Sequence, residues 1–243
     1  VNDIKAKSNF IHIDPGNIFD VINEMLDFHD EPICTVSWYG LYLINKEIKN
    51  MNVPVILNGH GGDELLGGYW DHYHYNFYDI RDNKDICSSE INSWLVNHNR
   101  SFEEIGKFSE HIDKYVRNNY RNDDKFIDYS SCFNNEFILK NKKNIDLKPP
   151  NSKSLLSKRL YLELMHETVP ASLRAEDRNT MSQSLESRSP FLDYRLVEFC
   201  FSLPNKFKIR GGIGKWILRE SMKGILAEKV RTRKDKAGFI APA

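Results

Sequence analysis

Between Phe10 and Ile13 apolar side chains recur closely enough to predict a short strand, and Asp14-Pro15-Gly16 then turns the chain. Ile18, Val21, Ile22 and Met25 follow at helical spacing, and Trp38, Leu41, Tyr42, Asn45 and Ile48 mark one face of a second helix. Val53 to Leu57 is short and β-branched, which predicts a buried strand. Two helices between two strands predict a parallel sheet, in which ligands sit beyond the carboxyl ends of the strands. Residues Asn58 to Glu64 occupy such an end.

After Tyr69 the strand pattern fades. Residues 76–150 are rich in Asn, Asp and Lys, carry Trp94, Phe102, Ile105 and Tyr115 at loosely helical intervals, and close on "LKPP". They read as a helical, surface-heavy, insert-like region between residues 1–75, an α/β part with strands alternating with helices, and a helical region at 151–243. In that last region Leu155, Leu156, Arg159, Leu160, Glu163 and Leu164 form one helix face, and Val169-Pro170 starts the next element. Asp193 is positioned to cap a helix that turns Leu196, Val197 and Cys200 inward and ends at Leu203-Pro204. A final helix starts at about Lys215, with Ile217, Leu218 and Met222 inside. The expected fold is therefore α/β but mostly helical, a partial parallel-sheet domain continuing into a helical region.

Composition narrows the function classes. At 243 residues, 40% hydrophobic and 28% charged, the chain is ordinary globular material. Lys+Arg and Asp+Glu are equal at 34, so no global basic footprint points to nucleic acid or to an anionic membrane. No apolar run approaches the roughly 20 residues of a membrane span, and Val1 to Phe10 lacks a signal-peptide core, so a cytoplasmic protein is expected. Cys34, Cys87, Cys132 and Cys200 lie far apart and read as free thiols. The chain starts at Val1 without an initiator methionine, which suggests a fragment.

The chemistry concentrates in "NGHGGDE", Asn58 to Glu64. Glycines at 59, 61 and 62 permit positive φ and remove side chains, so backbone N–H groups can converge on an anion. Asp63 and Glu64 would repel phosphate unless one of them holds Mg²⁺, which takes carboxylate and phosphate oxygens together. The plain alternative is a tight strand-to-helix turn whose carboxylates favour a helix N-terminus.

"NGHGGDELLGGY" from Asn58 to Tyr69 resembles the S-G-x-G-x-D-E-x-x-x-G-Y loop in the synthetase domain of glutamine-dependent asparagine synthetases. "HDEPICTVS" at 29–37, "LRAEDRNTMSQSLESRSPFLDYRLVEFCFSLP" at 173–204 and "GKWILRE" at 214–220 are similar to three further motifs of that family, in the same order. The resemblance implies an ATP-pyrophosphatase-type domain. ATP would adenylate the side-chain carboxylate of aspartate with release of pyrophosphate, and glutamine-derived ammonia would displace AMP. By this resemblance Asn58, Gly59, Gly61 and Gly62 bind ATP or the adenylate, with Asn58 in place of the usual Ser. Asp63 binds Mg²⁺ and pyrophosphate, and Lys215 neutralises phosphate charge, unless it is only a solvated residue at a helix start.

Glu186 and Arg188 keep two readings open: a buried salt bridge joining two helices, favoured for Arg188, or, for Glu186, a carboxylate in the acyl pocket that meets the substrate amine. Asp177 and Arg178 read as helix-surface or inter-helix pairs, and Glu64, Gly67 and Gly68 shape the loop exit with Tyr69 packed below. His60 stands where asparagine-forming enzymes often carry an acidic or amide residue and the similar β-lactam synthetases a tyrosine. An imidazole there could accept a proton from an ammonium-like intermediate, donate to an acyl or phosphate oxygen, or merely pack against the neighbouring helix.

No S-G-G-x-D-S sequence and no N-terminal cysteine occur between Val1 and Ala243, so the expectation is an inactive piece of a synthetase whose glutaminase domain lies elsewhere in the parent. Amidation of another carboxylate and a non-catalytic interaction module stay as alternatives. A homodimer is one assembly left open.

Overall fold

The computed structural model describes residues 7–13, 15–33, 35–106 and 150–236, together with residues 112, 134, 136, 137, 140 and 238. Cys34, Tyr115 and Cys132 lie outside the described residues. Helices dominate. In chain order α1 (Ile18–His29), α2 (Val36–Asn50), β1 (Val55–Leu57), α3 (Gly62–Leu66), α4 (Trp70–Asp79) and α5 (Lys84–His98) precede α6 (Leu155–Met165) and α7 (Thr168–Met181). Then come β2 (Glu186–Arg188), α8 (Tyr194–Ser202), β3 (Ile209–Arg210), β4 (Ile213–Gly214), α9 (Trp216–Ser221) and α10 (Glu228–Arg231).

The parallel sheet is the pair β1–β2, in the register Val55↔Glu186, Ile56↔Ser187 and Leu57↔Arg188. It is extended at both ends by Glu186 N donating to Pro54 O and Asn58 N donating to Arg188 O, each at 2.9 Å. This pairing corrects three expectations. Phe10 to Ile13 forms no strand, since among the described residues no partner strand lies beside it, and Phe10 is 93% exposed. β1 is not buried: Leu57 is 73% exposed because a two-stranded sheet covers little of either face. Glu186 and Arg188 sit on a strand, not between helices, and their 2.7 Å ion pair lies in the open with both side chains more than half exposed. Such an exposed pair contributes little to stability.

The helices follow the sequence pattern more closely. α1 and α2 bury Val21, Met25, Tyr39 and Tyr42 in one cluster and are tied to α7 by His29 Nε2 with Asn179 Oδ1 (2.8 Å) and by Asn179 Nδ2 donating to Trp38 O (3.2 Å). Arg178 meets Asp30 at 3.4 Å, an inter-helix pair of the predicted kind. α6 buries Leu155, Leu156, Arg159, Leu160, Glu163 and Leu164, and Leu162 as well, so it is enclosed on more than the one predicted face. It joins Tyr73, Tyr75 and Phe77 of α4 to Trp94 of α5 and Ile209 of β3 in the largest core cluster. A second cluster, with Leu65 and Leu66 of α3, Leu164, Val169 and Cys200, underlies the glycine loop. Each such buried aliphatic side chain contributes roughly 1.5–3 kcal/mol. Asp193 caps α8, accepting from Arg195 N at 2.9 Å, as expected. Cys87 and Cys200 are free thiols, and among the described residues no helix is long and apolar enough to cross a membrane.

Two polar devices anchor α6. Asp79, at the end of α4, accepts from Leu155 N (2.6 Å), Leu156 N (3.1 Å) and Ser154 Oγ (2.7 Å), satisfying the orphan donors of the helix start. Deeper in, Glu163 accepts from Arg159 Nε at 3.0 Å and lies 2.7 Å from His72 Nε2. His72 Nδ1 accepts the Tyr69 N–H at 3.3 Å, which leaves the Nε2 proton for Glu163. Asp71, His72 and Glu163 have ligand atoms close enough for a metal, but the Arg159 guanidinium already lies 2.9 Å from Glu163 and 3.7 Å from Asp71. The cluster is thus a closed ion-pair network.

Burial raises the Glu163 carboxyl, and the neighbouring His72 and Arg159 outweigh it, leaving Glu163 below its ordinary value of 4.5. A depressed native carboxylate stabilises the fold above its unfolded value, and that stability is lost as pH falls through the native one. Arg159→Met should therefore cost about 3–5 kcal/mol near neutrality, by leaving a buried charge short of its partner. In urea melts across pH 3 to 7, the stability gap between variant and wild type should narrow as pH falls below the ordinary carboxyl value of 4.5, because protonating Glu163 removes the charge that Arg159 compensates. Parallel pH curves would show that Arg159 acts by packing alone.

Candidate active site

The site begins where β1 stops. Asn58 turns the chain back on itself: its Oδ1 accepts from His60 N (3.1 Å) and Ser189 Oγ (2.8 Å), while its Nδ2 donates to Ser187 Oγ (2.7 Å). Both ends of the predicted nucleotide contact are thus engaged in joining the loop to β2. A side chain added at Gly59 would meet nothing within 4 Å, so this stretch of backbone is open on one side. Gly61 has φ +87°, and a Cβ there would run into Leu192; one at Gly62 would touch Phe191. Gly61 is thus required by its positive φ and its packing against Leu192, whereas Gly62 is only in ordinary contact with Phe191.

His60 is partly exposed and its Nε2 lies 3.9 Å from Glu176 Oε2. Glu176, buried on α7, accepts from Ser187 Oγ at 2.9 Å through its other oxygen. Burial raises the Glu176 carboxyl, but His60, Ser187 and Asn58 beside it hold it below the ordinary range. The result is a chain Asn58–Ser187–Glu176–His60 built from three elements. A cavity of about 280 Å³ opens here, lined in part by Asn58, Glu176, Glu186, Ser187 and Ser189. Glu186 therefore reaches the same cavity as Asn58, although its carboxylate is paired with Arg188.

The carboxylate end of the loop lies in separate surroundings. Asp63, on the first turn of α3, is 3.1 Å from Lys215 Nζ and 3.1 Å from Lys236 Nζ. Burial raises its carboxyl and the two ammonium groups more than reverse this, so Asp63 titrates below its ordinary value. Lys215 has the left-handed φ of 56° and is held there by its N–H donating to Leu66 O at 3.0 Å. That turn directs the side chain from the β3–β4 hairpin to the loop. Gly68 makes the approach possible, because a Cβ at this position would overlap Asp63 Oδ1 and the Lys215 stem. A cavity of about 210 Å³, lined by Asp63, Gly68, Lys215, Arg219 and Lys236 among others, adjoins the trio. It shares no lining residue with the first cavity. Glu64 points away from both: it is buried and accepts from Tyr69 Oη at 2.6 Å.

Of the eight predicted site residues, Asn58 and Glu186 line the first cavity, Asp63 and Lys215 line the second, His60 lies 3.9 Å from Glu176 of the first, and Gly59, Gly61 and Gly62 line neither. Glu176 and Lys236 were not singled out by the sequence pattern. Glu176 leaves one trace, a carboxylate among the buried positions Val169, Ala175, Asn179 and Thr180 of α7; Lys236 is one cation of a basic run and leaves none.

Mostly helical, with a short parallel sheet and a glycine loop at its carboxyl end, the chain has the fold of a partial α/β synthetase domain. The asparagine synthase family model matches residues 1–243, and the chain belongs to that family. It is 26% identical over 256 aligned residues to the asparagine synthetase [glutamine-hydrolyzing] 1 of Bacillus subtilis (strain 168), covering 95% of this chain and 37% of that protein. Shorter matches, 42% over 62 residues and 46% over 66, relate it to asparagine synthetase [glutamine-hydrolyzing] 3 of the same organism and to the asparagine synthetase [glutamine-hydrolyzing] of Gallus gallus. These cover 26% and 27% of the chain and only 10% and 11% of those proteins.

The Asp63 environment makes a direct prediction. Lys215→Met with Lys236→Met removes both cations and leaves the burial, so the Asp63 carboxyl should move from below its ordinary value of 3.8 to above it. Carbon-13 NMR of labelled aspartate follows the titration. A carboxyl still depressed in the double variant would mean that other groups hold it.

Proposed function

We propose that this chain forms the adenylating and amide-forming part of an ATP-dependent ligase that makes asparagine. The observation that carries the reading is Asp63 held between two lysines at the carboxyl end of a parallel strand pair, with a second cavity lined by Glu176, which His60 approaches to 3.9 Å. In the first step an oxygen of the aspartate side chain attacks the α-phosphorus of ATP and pyrophosphate leaves. Lys215 offers positive charge to the leaving oxygens as their charge grows. The donor set at Asp63, one carboxylate with ammonium groups, fits phosphate oxygens and would hold Mg²⁺ through the carboxylate; the ion when bound would supply further neutralisation of the phosphates. ATP and Mg²⁺ are accordingly the proposed cofactors.

In the second step ammonia attacks the acyl carbon, and the resulting ammonium-like centre must lose a proton before AMP departs. His60 supplies an acceptor at the open loop, and the Glu176 carboxylate 3.9 Å behind it stabilises the imidazolium that forms. Asn58 and Ser187 hold that acid in place. The ammonia would come from glutamine, through a glutaminase domain elsewhere in a longer cytoplasmic protein; the curated relatives of which this chain spans only part carry glutamine hydrolysis in their names. The imidazole at position 60 favours one second reading, amidation of a carboxylate other than that of aspartate.

With the full-length protein, aspartate-dependent exchange of labelled pyrophosphate into ATP should be measurable and should fall roughly 100-fold or more in Asp63→Asn and in Lys215→Ala. His60→Gln should retain exchange but lose about 10²–10⁴ in amide formation. Exchange supported by other acids but not aspartate would assign a different acceptor. No ATP binding, with or without Mg²⁺, would sink the ligase reading in favour of an interaction module.

A further inference from the structure

Lys236 reaches the site by a route that the helix pattern does not supply. After α10 the chain runs back past α9 as a strap without regular secondary structure, residues 232–236. Arg219 on α9 pins it from below: its Nη1 donates to Arg231 O (2.6 Å) and Arg233 O (2.7 Å), while its Nε donates to Gly214 O at 3.0 Å. One guanidinium thus fastens the strap to the same turn that presents Lys215. The strap then delivers the Lys236 ammonium to Asp63 Oδ1 (3.1 Å) and Gly68 O (3.0 Å), 3.8 Å from the centre of the Tyr69 ring.

The charges do not balance at this point. A single carboxylate needs one cation, and Asp63 has two on the same oxygen. Arg219, Arg233 and Lys234 also line the cavity, against only Asp235, which is itself paired with Arg233 at 2.6 Å. A pocket with this excess of positive charge attracts a polyanion. Arg219 has Nε and Nη1 committed to three backbone carbonyls, whereas Lys236 holds one shared carboxylate oxygen and one carbonyl, contacts that a phosphate oxygen can replace.

We propose that Lys236 is a second phosphate-binding cation, carried on a strap positioned by Arg219, which shifts from Asp63 to the pyrophosphate portion of the bound nucleotide. The inference rests on the reading that Asp63 and Lys215 face the phosphates. It adds a residue, and it gives Arg219 the role of a positioning residue that touches no substrate.

Inorganic pyrophosphate, titrated calorimetrically into the full-length protein, is a probe that needs no acyl acceptor. Lys236→Ala should weaken it about tenfold, the loss of one charge-assisted contact, and Lys236→Arg should restore most of the affinity. Arg219→Met should give a similar loss together with faster amide exchange over residues 232–236. Arg219→Met with Lys236→Ala should be little worse than either alone, because both remove the same contact. If Lys215→Ala weakens pyrophosphate binding and Lys236→Ala leaves it at the wild-type value, the strap lysine is overturned and the phosphate reading stands. If neither lysine matters, the reading of the whole cavity falls. Fully additive losses would overturn the positioning role of Arg219.

Discussion

Asn58 joins parts of the chain that lie 129 residues apart. Its amide donates to Ser187 and its carbonyl oxygen accepts from Ser189 and from the backbone of His60. Two three-residue strands could not keep a register alone, since among the described residues each pairs on one edge only and β1 leaves Leu57 to solvent. The side-chain hydrogen bonds at their carboxyl ends pin the register, and with it the position of the glycine loop relative to α7 and β2. Every functional distance in the first cavity depends on this pin. A one-residue slip would point Ser187 to the opposite face and remove it from both Asn58 and Glu176.

The helical frame beneath is organised differently, around buried charge. α6 carries Arg159 and Glu163 in an otherwise aliphatic environment, and these two, with His72 and Asp71, lock α4 to α6 just beyond the loop. Burying such groups is costly, and removing one partner would leave its counterpart buried and uncompensated. The network's consequence for the site is rigidity where α4 begins, directly after Gly67, Gly68 and Tyr69. Tyr69 completes the connection by donating to Glu64, which removes the second loop carboxylate from the pocket and leaves Asp63 alone to face the lysines.

On the function proposed above, the separation into two cavities has a chemical rationale. The phosphate end of a nucleotide needs fixed positive charge, whereas the amine that attacks an acyl adenylate needs a proton acceptor that is not neutralised by neighbouring cations. Asp63 and its lysines share no cavity wall with His60 and Glu176. Gly68 allows the first group to close together, and Ser187 orients the acid of the second.

Much of this was legible from the chain itself. The α6 face from Leu155 to Leu164, the Asp193 cap, the inward face of α2 and the grouping of chemistry in Asn58 to Asp63 all follow from local spacing, because helical periodicity and capping are properties of neighbouring residues. The family is likewise carried by contiguous motifs. What local spacing could not supply is which strand pairs with which: Phe10 to Ile13 has strand-like alternation and, among the described residues, no partner, while Glu186 to Arg188, read as part of a helical region, pairs with β1. Glu176 and Lys236 belong to the site only because α7 and the strap return to the loop from 116 and 173 residues away. The sequence determined the helices and the chemistry available to them; the tertiary structure alone decided which charges meet, since contact across such distances is set by packing and not by spacing along the chain.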